Sequence, residues 1–459
     1  MYQVDFSHPI HVHFIGIGGI SMSGLAKVLL SRGFSVSGSD AKASPLTDDL
    51  AKSGATIYIG QRSSNIKPGT DLVVYTAAIH PDNPEYAAAV SAGVPMLTRA
   101  ELLGQLMKNY PVGIAVAGTH GKTTTTSMLS CILLAARKDP TISIGGILPV
   151  IGGNIRIGGP EVFLAEACEY TNSFLSLHPT LGIILNIEPD HLDFFKNIDD
   201  IRSSFAAFAA LLPPEGTLVI NADIEEAEAL TAPLSCHVLT YGTKEGADFT
   251  ASDVAFDQEG CASFTALKAG SPFVSCQLHV PGAHNVQNAL AAIAAASSLG
   301  IPAEAMAEGL GAFKGTERRF EYKGKVGETV IIDDYAHHPT EIAATLAAAH
   351  NYPHREIWCV FQPHTYSRTK SFLPDFAHAL SRADHVVLAP IYAAREIDDH
   401  TVSSLDIKRL IEEQGTACEY FDTFDEIEAF LLSSLSPGDL LITMGAGDVY
   451  KIGDHLLGR

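Results

Sequence analysis

Residues 112–126 read VGIAVAGTHGKTTTT, an apolar run joined to a threonine-rich one through two glycines. Val112, Ile114 and Val116 suit a buried strand, Gly118, Thr119, His120 and Gly121 a turn, and Lys122, Thr123 and Thr124 the start of a helix. Small turn residues let backbone N–H groups come close to a phosphate at a helix N-terminus. Lys122 would then stand beside the β and γ phosphates, and the Thr123 hydroxyl would face Mg²⁺. An ordinary phosphate loop has glycine five positions before Gly121, where this chain has Val116. The loop is a shortened variant, so an ordinary P-loop NTPase fits less well, and the chemistry remains that of ATP.

The same strand-to-helix grammar recurs on both sides. HVHFIG opens a unit before Gly18, and TVIID opens another before His337. The first continues through FSVSGSD, ATIYIG and DLVVYTA, alternating with helical stretches, which indicates a mostly parallel sheet. The middle segment adds VFLAEA and LGIILNI, a less regular stretch from Asp248 to Cys276 that suits antiparallel strands, and a long helix from His284. GAFKGTERRFEYKG, residues 311–324, reads as a hinge, and REIWCVFQ, DHVVLAP and DLLITM then alternate with helices. The expectation is an α/β chain of three domains, 1–110, 111–315 and 316–459: a Rossmann-like first domain, a central P-loop domain and a C-terminal Rossmann-like domain. A length of 459 residues with 46% apolar content supports several cores.

Glu166 ends one predicted strand, and Asp190, His191 and Asp193 follow another, at the edge of a parallel sheet where ligands bind. A triphosphate needs a divalent cation, and hard ions take oxygen donors, so Glu166 is the best carboxylate ligand. His191 suits a metal, a helix cap or a core hydrogen bond equally. Glu169 and Asp190 read also as exposed charges at helix starts. GIGGISMSG supplies Gly16, Gly18, Gly19 and Gly24, followed by Asp40, a fingerprint for a pyrophosphate that belongs to NAD or to a sugar nucleotide. In HNVQNALAAIAAA, Asn285 and Asn288 lie one turn apart and offer amides to adenine, although Asn285 also suits an N-cap. DDYAHHPTE and FQPHTYSRT cluster polar groups after strands. Adjacent histidines there point different ways, which argues for substrate contacts over a two-histidine metal centre.

The balance of 52 acidic against 30 basic residues, a net charge of −22, opposes nucleic-acid and anionic-membrane partners. Seven scattered cysteines show no zinc or disulfide spacing, and the opening residues show neither a signal peptide nor a membrane anchor. A cytoplasmic protein without membrane insertion is expected. Its oligomeric state is not legible.

Read in order, GIGGISMSG, AGTHGKTTTT, AEACEY, NIEPDHLD, GAHNVQNALAA, RRFE, DDYAHHPTE, FQPHTYSRT and MGAGD resemble the UDP-N-acetylmuramate:L-alanine ligases of the Mur ligase family across essentially the whole chain. The resemblance implies amide formation between UDP-N-acetylmuramate and L-alanine through an acyl phosphate, with ATP as co-substrate and Mg²⁺ or Mn²⁺. It implies that Gly118 to Thr124 bind ATP, that Thr123, Glu166 and His191 serve the metal, and that Asn285 and Asn288 meet adenine. It assigns Arg319 to phosphate, Asp334 to the ATP ribose, and Tyr335, His337 and Arg368 to the muramoyl and alanine end. UDP would fall to the first loop, with Gly16, Gly18, Gly19, Ser23 and Asp40. Lys122, His337 and Arg368 are the expected catalytic groups, His337 as a base because imidazole titrates near neutral pH. Many relatives have arginine where this chain has Thr365, which leaves Arg368 to act alone. A helix expected at residues 201–212 lacks the lysine that later-acting members carry. A tripeptide-adding recycling ligase, an NAD-dependent oxidoreductase and a nucleotide-switched binding protein are the rival readings.

Overall fold

Alternating apolar runs and helices build three sheets in the computed structural model, which describes residues 2–459 except Ala77, Asp193, Arg395 and Asp399. The first sheet contains β1 (His11–Ile15), β2 (Ser35–Asp40), β3 (Thr56–Ile59), β4 (Leu72–Tyr75) and β5 (Met96–Thr98), in the order β3-β2-β1-β4-β5 and parallel throughout. The order reverses beside β1, so the glycine loop after β1 opens at the switch point where such sheets take ligands.

The central sheet has ten strands. They are β6 (Val112–Ala117), β7 (Thr141–Leu148), β8 (Gly153–Arg156), β9 (Val162–Glu166), β10 (Leu181–Ile184), β11 (Thr217–Asn221), β12 (His237–Tyr241), β13 (Phe249–Phe256), β14 (Cys261–Lys268) and β15 (Ser271–Pro281). Their order is β15-β14-β13-β12-β11-β10-β6-β9-β7-β8, with β6 flanked in parallel by β10 and β9. That arrangement brings the ends of three strands, carrying the phosphate loop, Glu166 and the segment with Asp190, to one edge. The antiparallel element foreseen between Asp248 and Cys276 is β13 to β15. The third sheet runs β16-β17-β21-β18-β19-β20, made of β16 (Glu321–Val326), β17 (Thr329–Asp334), β18 (Ile357–Phe361), β19 (His385–Leu388), β20 (Ala417–Tyr420) and β21 (Leu440–Met444).

Two expectations shift. The stretch 311–324 is not all hinge: the helix Ala303–Ala312 ends it on one side and β16 begins at Glu321, which leaves residues 313–320 as connector. The helix expected at 201–212 is Ile198–Ala209, capped by the Asn197 side chain on the Asp200 N–H, and it contains no lysine.

One apolar cluster runs without interruption from Phe14, Leu29 and Leu106 of the first domain to Phe163, Phe205 and Ile220 of the central one. Burial of each large side chain contributes roughly 1.5–3 kcal/mol, so these two domains hold each other firmly. The third domain keeps its own clusters, around Ile342 and Phe376 on one face of its sheet and Ile427 and Ile452 on the other. It meets the central domain chiefly through polar groups. A joint of that kind suits opening and closing.

Candidate active site

The phosphate loop takes its shape from two left-handed glycines, Gly118 (φ 148°) and Gly121 (φ 82°). A Cβ on Gly118 would sit 2.8 Å from Leu185 Cβ, and one on Gly121 would sit 2.7 Å from Asn288 Oδ1. Gly121 caps the helix Lys122–Ala135. Asn186, just past β10, clamps the loop: its Oδ1 accepts from the His120 N–H at 2.7 Å, and its Nδ2 donates to the His120 carbonyl at 3.1 Å. Thr119 makes a reciprocal pair with the backbone of Glu188, accepting at 2.9 Å and donating at 3.3 Å.

Lys122 lies folded over the loop, donating to the Gly118 carbonyl at 2.5 Å, the Thr119 carbonyl at 3.0 Å and the Glu169 carboxylate at 2.9 Å. Burial opposes its charge, but Glu169 raises its pKa above the ordinary value. Burial likewise disfavours the Glu169 carboxylate, and Lys122 with His191 brings its pKa below normal. Glu169 is therefore not an exposed helix-start charge: it is 2% exposed and paired. Sequence reasoning ranked it below Glu166, since only the fold shows that it faces Lys122. Glu166 accepts from the Gly145 N–H at 2.7 Å and from the Thr123 hydroxyl. Burial pushes its carboxyl pKa up despite Lys122 nearby. A buried carboxylate beside a hydroxyl is an oxygen donor set that fits a hard divalent cation. His191, in a left-handed backbone conformation (φ 52°), directs Nε2 to 3.6 Å from Glu169. Asp193 lies outside the described residues.

A cavity of about 230 Å³ opens between the central and third domains over this loop. Its lining includes His120, Gly121, Thr124, Asn285, Asn288, Arg319 and Asp334. Asn285 is no N-cap, because the helix His284–Ser298 begins one residue earlier on Ala283. Both asparagines are buried and chained: Asn288 Nδ2 donates to Asn285 Oδ1 at 3.0 Å, and Asn285 Nδ2 to the Pro281 carbonyl at 2.7 Å. Asp334 accepts from the N–H groups of Phe320 and Ala336, at 2.9 and 2.7 Å, and burial raises its carboxyl to about 6. Arg319 lies 5.3 Å from the Tyr335 ring and 4.0 Å from Glu341.

Polar pairs span the joint between these domains. His120 Nδ1 lies 3.2 Å from Glu341, and its Nε2 lies 3.5 Å from Glu188. Burial alone would lower the imidazole pKa, but the two glutamates raise it to about 9. Thr340 donates to Glu188 at 3.0 Å, and His338 Nε2 lies 3.1 Å from the Pro189 carbonyl. Arg368 donates through Nη2 and Nε to one oxygen of Asp190, at 2.8 and 3.2 Å. Asp190 is thus also buried, not exposed, and Arg368 holds its carboxyl well below the usual range against the cost of burial. Asn186 and Glu188 were not singled out from sequence as site residues, although both stand just after an apolar strand, where ligand edges form, whereas Glu341 belongs to the polar cluster DDYAHHPTE.

A smaller cavity of about 120 Å³ collects Tyr170, Asp190, His191, His337, His364 and Arg368. His337 Nδ1 lies 3.0 Å from the Tyr335 carbonyl. Burial drives its pKa down to about 3, despite Glu341 beside it. The expectation of an imidazole titrating near neutral pH is corrected: in this structure His337 is neutral and weakly basic. Thr365 is buried and caps the short helix that carries Arg368.

At the first loop, the Gly16 and Ile17 N–H groups donate to the Ser39 carbonyl at 2.9 Å, and the Gly18 N–H donates to Asp40 at 2.9 Å. A Cβ on Gly18 would meet Asp40 Oδ2 at 2.8 Å, so Asp40 braces the loop closely. Ser23 is buried and turns its hydroxyl back onto the Ile20 carbonyl at 2.9 Å, where it serves the helix Ile20–Ser31. Beneath the loop, the buried Glu85 accepts from Ser39 and Asn65, a support that sequence alone does not reveal.

A phosphate loop at the mouth of a cleft between α/β domains, with a second glycine loop on a third, defines a nucleotide-dependent enzyme of three domains. The chain belongs to the Mur ligase family: the Mur ligase family catalytic domain matches residues 11–111, the middle domain 116–296 and the glutamate ligase domain 318–447. It is 59% identical to the UDP-N-acetylmuramate–L-alanine ligase of Agathobacter rectalis, over 100% of both chains. Among solved structures it is similar to a UDP-N-acetylmuramate-alanine ligase from Thermotoga maritima, with 31% identity, a TM-score of 0.83 and coverage of 98% of this chain and 99% of the other. A murein peptide ligase from Psychrobacter arcticus matches at 26% identity, with a TM-score of 0.74 and 98% of each chain covered.

Proposed function

We infer that this chain is an ATP-dependent ligase that forms the amide between L-alanine and the lactyl carboxylate of UDP-N-acetylmuramate, in peptidoglycan precursor synthesis. One observation carries the reading: a chain 59% identical from end to end to a ligase of that name brings Lys122 of the phosphate loop and Arg319 of the third domain within electrostatic reach of Glu166. Solved peptide-adding ligases match at 26% over 98% of this chain and at 31% over 68% of it, well below the 59% end-to-end identity to the alanine ligase, so the recycling alternative is weaker. The domains are placed at residues 1–110, 111–315 and 316–459, with UDP on the first loop at Gly16, Gly18 and Gly19, braced by Asp40. Since the cell keeps ATP and sugar nucleotides in the cytoplasm, the enzyme is placed there.

In the proposed reaction a carboxylate oxygen attacks the γ phosphorus of ATP, the bond to the β-phosphate oxygen breaks, and ADP leaves. The alanine amine then attacks the acyl carbon, the C–O bond to phosphate breaks, and the amine proton is released. Backbone N–H groups of the phosphate loop and the Lys122 ammonium hold the phosphates and offset charge on the transferring group. Thr123 and Glu166 would hold Mg²⁺ or Mn²⁺, with His191 nearby. Such a cation, when bound, neutralises the triphosphate. Asn285 and Asn288 are assigned to adenine, Asp334 to ribose, Arg319 to phosphate, and Tyr335, His337 and Arg368 to the muramoyl and alanine end. At its depressed pKa, His337 acts as a neutral hydrogen-bond acceptor for the incoming amine. The test is phosphate release from ATP with UDP-N-acetylmuramate and Mg²⁺, comparing L-alanine, no amino acid and tripeptide. Alanine-dependent release with a product of the matching mass supports the reading, whereas release with tripeptide alone, or none, overturns it.

A further inference from the structure

Arg99 opens the helix Arg99–Met107 at the junction of the first and central domains. A cation in the first turn opposes the helix dipole, which favours anions there. The helix does not need it as a cap, because Thr98 and Glu101 already form a capping box. Nor is Arg99 neutralised: among the described residues its guanidinium forms no ion pair, and its one side-chain hydrogen bond is from Nη1 to Ser21 Oγ, at 3.1 Å. Buried or half-buried arginines are ordinarily paired, since five donors need acceptors and the charge needs compensation. Burial pulls the Arg99 pKa below its usual value, with the Glu166 carboxyl of the central domain acting in the opposite direction.

Its position relates the two nucleotide elements. Ser21 directly follows the glycine loop, in the first turn of the helix Ile20–Ser31. Glu166, on the other side, accepts from Thr123 beside the phosphate loop. The helix that carries Arg99 is seated on the central domain, where a Cβ on Gly104 would fall 1.8 Å from the Ser176 carbonyl oxygen. Arg99 is therefore held in place between the two loops. Building on the ligase reading above, we propose that Arg99 pairs with an oxyanion of the sugar nucleotide where that substrate passes from the first domain to the central one. That oxyanion belongs either to the diphosphate or to the lactyl carboxylate.

The test uses the full-length enzyme. Wild-type protein must first release phosphate in response to alanine; failure there removes the ligase reading itself, independently of Arg99. Arg99→Gln is then measured by steady-state kinetics and by calorimetric titration with UDP-N-acetylmuramate and with UDP-N-acetylglucosamine, which lacks the lactyl group. Loss of a charge-assisted contact should raise Kd and KM for UDP-N-acetylmuramate about ten- to a hundredfold, with KM for ATP and alanine within about threefold of wild type. Weakened binding of both sugar nucleotides assigns Arg99 to the diphosphate, and weakened binding of the muramate alone assigns it to the carboxylate. Arg99→Lys, which keeps the charge but loses the fork, should recover part of the affinity. It also carries the comparison if the glutamine variant does not fold. Unchanged affinity for both sugar nucleotides, or equal losses in all three KM values, overturns the proposal.

Discussion

Removing the Arg368 charge should open the joint between the central and third domains before it unfolds either of them. Arg368 and Asp190 side chains are 9% and 7% exposed, and two hydrogen bonds of 2.8 and 3.2 Å converge on one carboxylate oxygen. Breaking one side of a buried pair costs roughly 3–5 kcal/mol, because the remaining charge is left without compensation. His364, 3.2 Å from Arg368 Nη1, and His191, 3.7 Å from Asp190, each retain some interaction with the survivor. The coupling in a double-mutant cycle is therefore set nearer 2–3 kcal/mol, about thirty- to a hundred-and-fiftyfold in the ratio of closed to open forms. Arg368→Gln, Asp190→Asn and the double variant would be compared by a fluorophore pair placed on the two domains. Each single variant should shift the distance distribution toward open, and the double should open less than the sum. The effect should also be flat with pH. Asp190 has a depressed folded pKa, so its contribution is present above the unfolded value, near 3.9, and is lost only as the pH falls through the lower folded one. Single variants whose effects add within about 0.5 kcal/mol, or that leave the distance unchanged, would refute the clasp.

The second clasp has the opposite pH sign. His120 has a folded pKa raised to about 9, so its contribution is full below the unfolded value of roughly 6.5 and fades as the pH rises through 9. In the same distance assay, wild type should open between pH 7 and 10, while His120→Gln should be open and insensitive to pH. Lys122→Met should lower kcat for phosphate release by at least about a hundredfold, the scale of losing one preorganised electrostatic group, and a loss under tenfold would disqualify it. Gly104→Ala drives a Cβ to 1.8 Å from the Ser176 carbonyl oxygen, and overpacking of this kind costs roughly 1–3 kcal/mol. Calorimetry should show melting lowered by several degrees, and an unchanged melt would show that the two domains part there without cost.

What the sequence disclosed and what it hid divide by range. The strand-turn-helix unit around Gly118 to Gly121 was legible because strand, turn and helix start lie within fifteen consecutive residues, 112–126, each with its own local signal. Parallel sheets followed from the same alternation. By contrast, His120 and Glu341 are separated by 221 positions and Arg368 and Asp190 by 178, so nothing local marks them as pairs. For the same reason Glu169 and Asp190 read as solvated charges until the fold brought a lysine and an arginine against them. His337 shows the complementary error: its chemistry was legible, but its pKa depends on burial, which only packing supplies. Ser23 reads as part of a binding loop because it lies in a glycine-rich run, yet helical geometry turns its hydroxyl back onto the Ile20 carbonyl.

These buried pairs also show how a chain with a net charge of −22 holds buried cations around one cleft. Lys122 is neutralised by Glu169, Arg368 by Asp190, and His120 by Glu188 and Glu341. Left unpaired and buried, each cation would cost several kcal/mol. Under the proposed site assignment, a phosphate arriving at Lys122 would meet an ion pair, not a free ammonium, and its binding would be an exchange of partners. Such an exchange frees Glu169, whose other near neighbour is His191 at 3.6 Å. His120 ties this exchange to the third domain, since its backbone belongs to the phosphate loop, held by Asn186, while its ring holds Glu341 across the joint. A shift of the loop on binding a phosphate must move one end of that interdomain contact. Coupling between nucleotide and closure then follows from a single residue shared by both, and no long-range field is required.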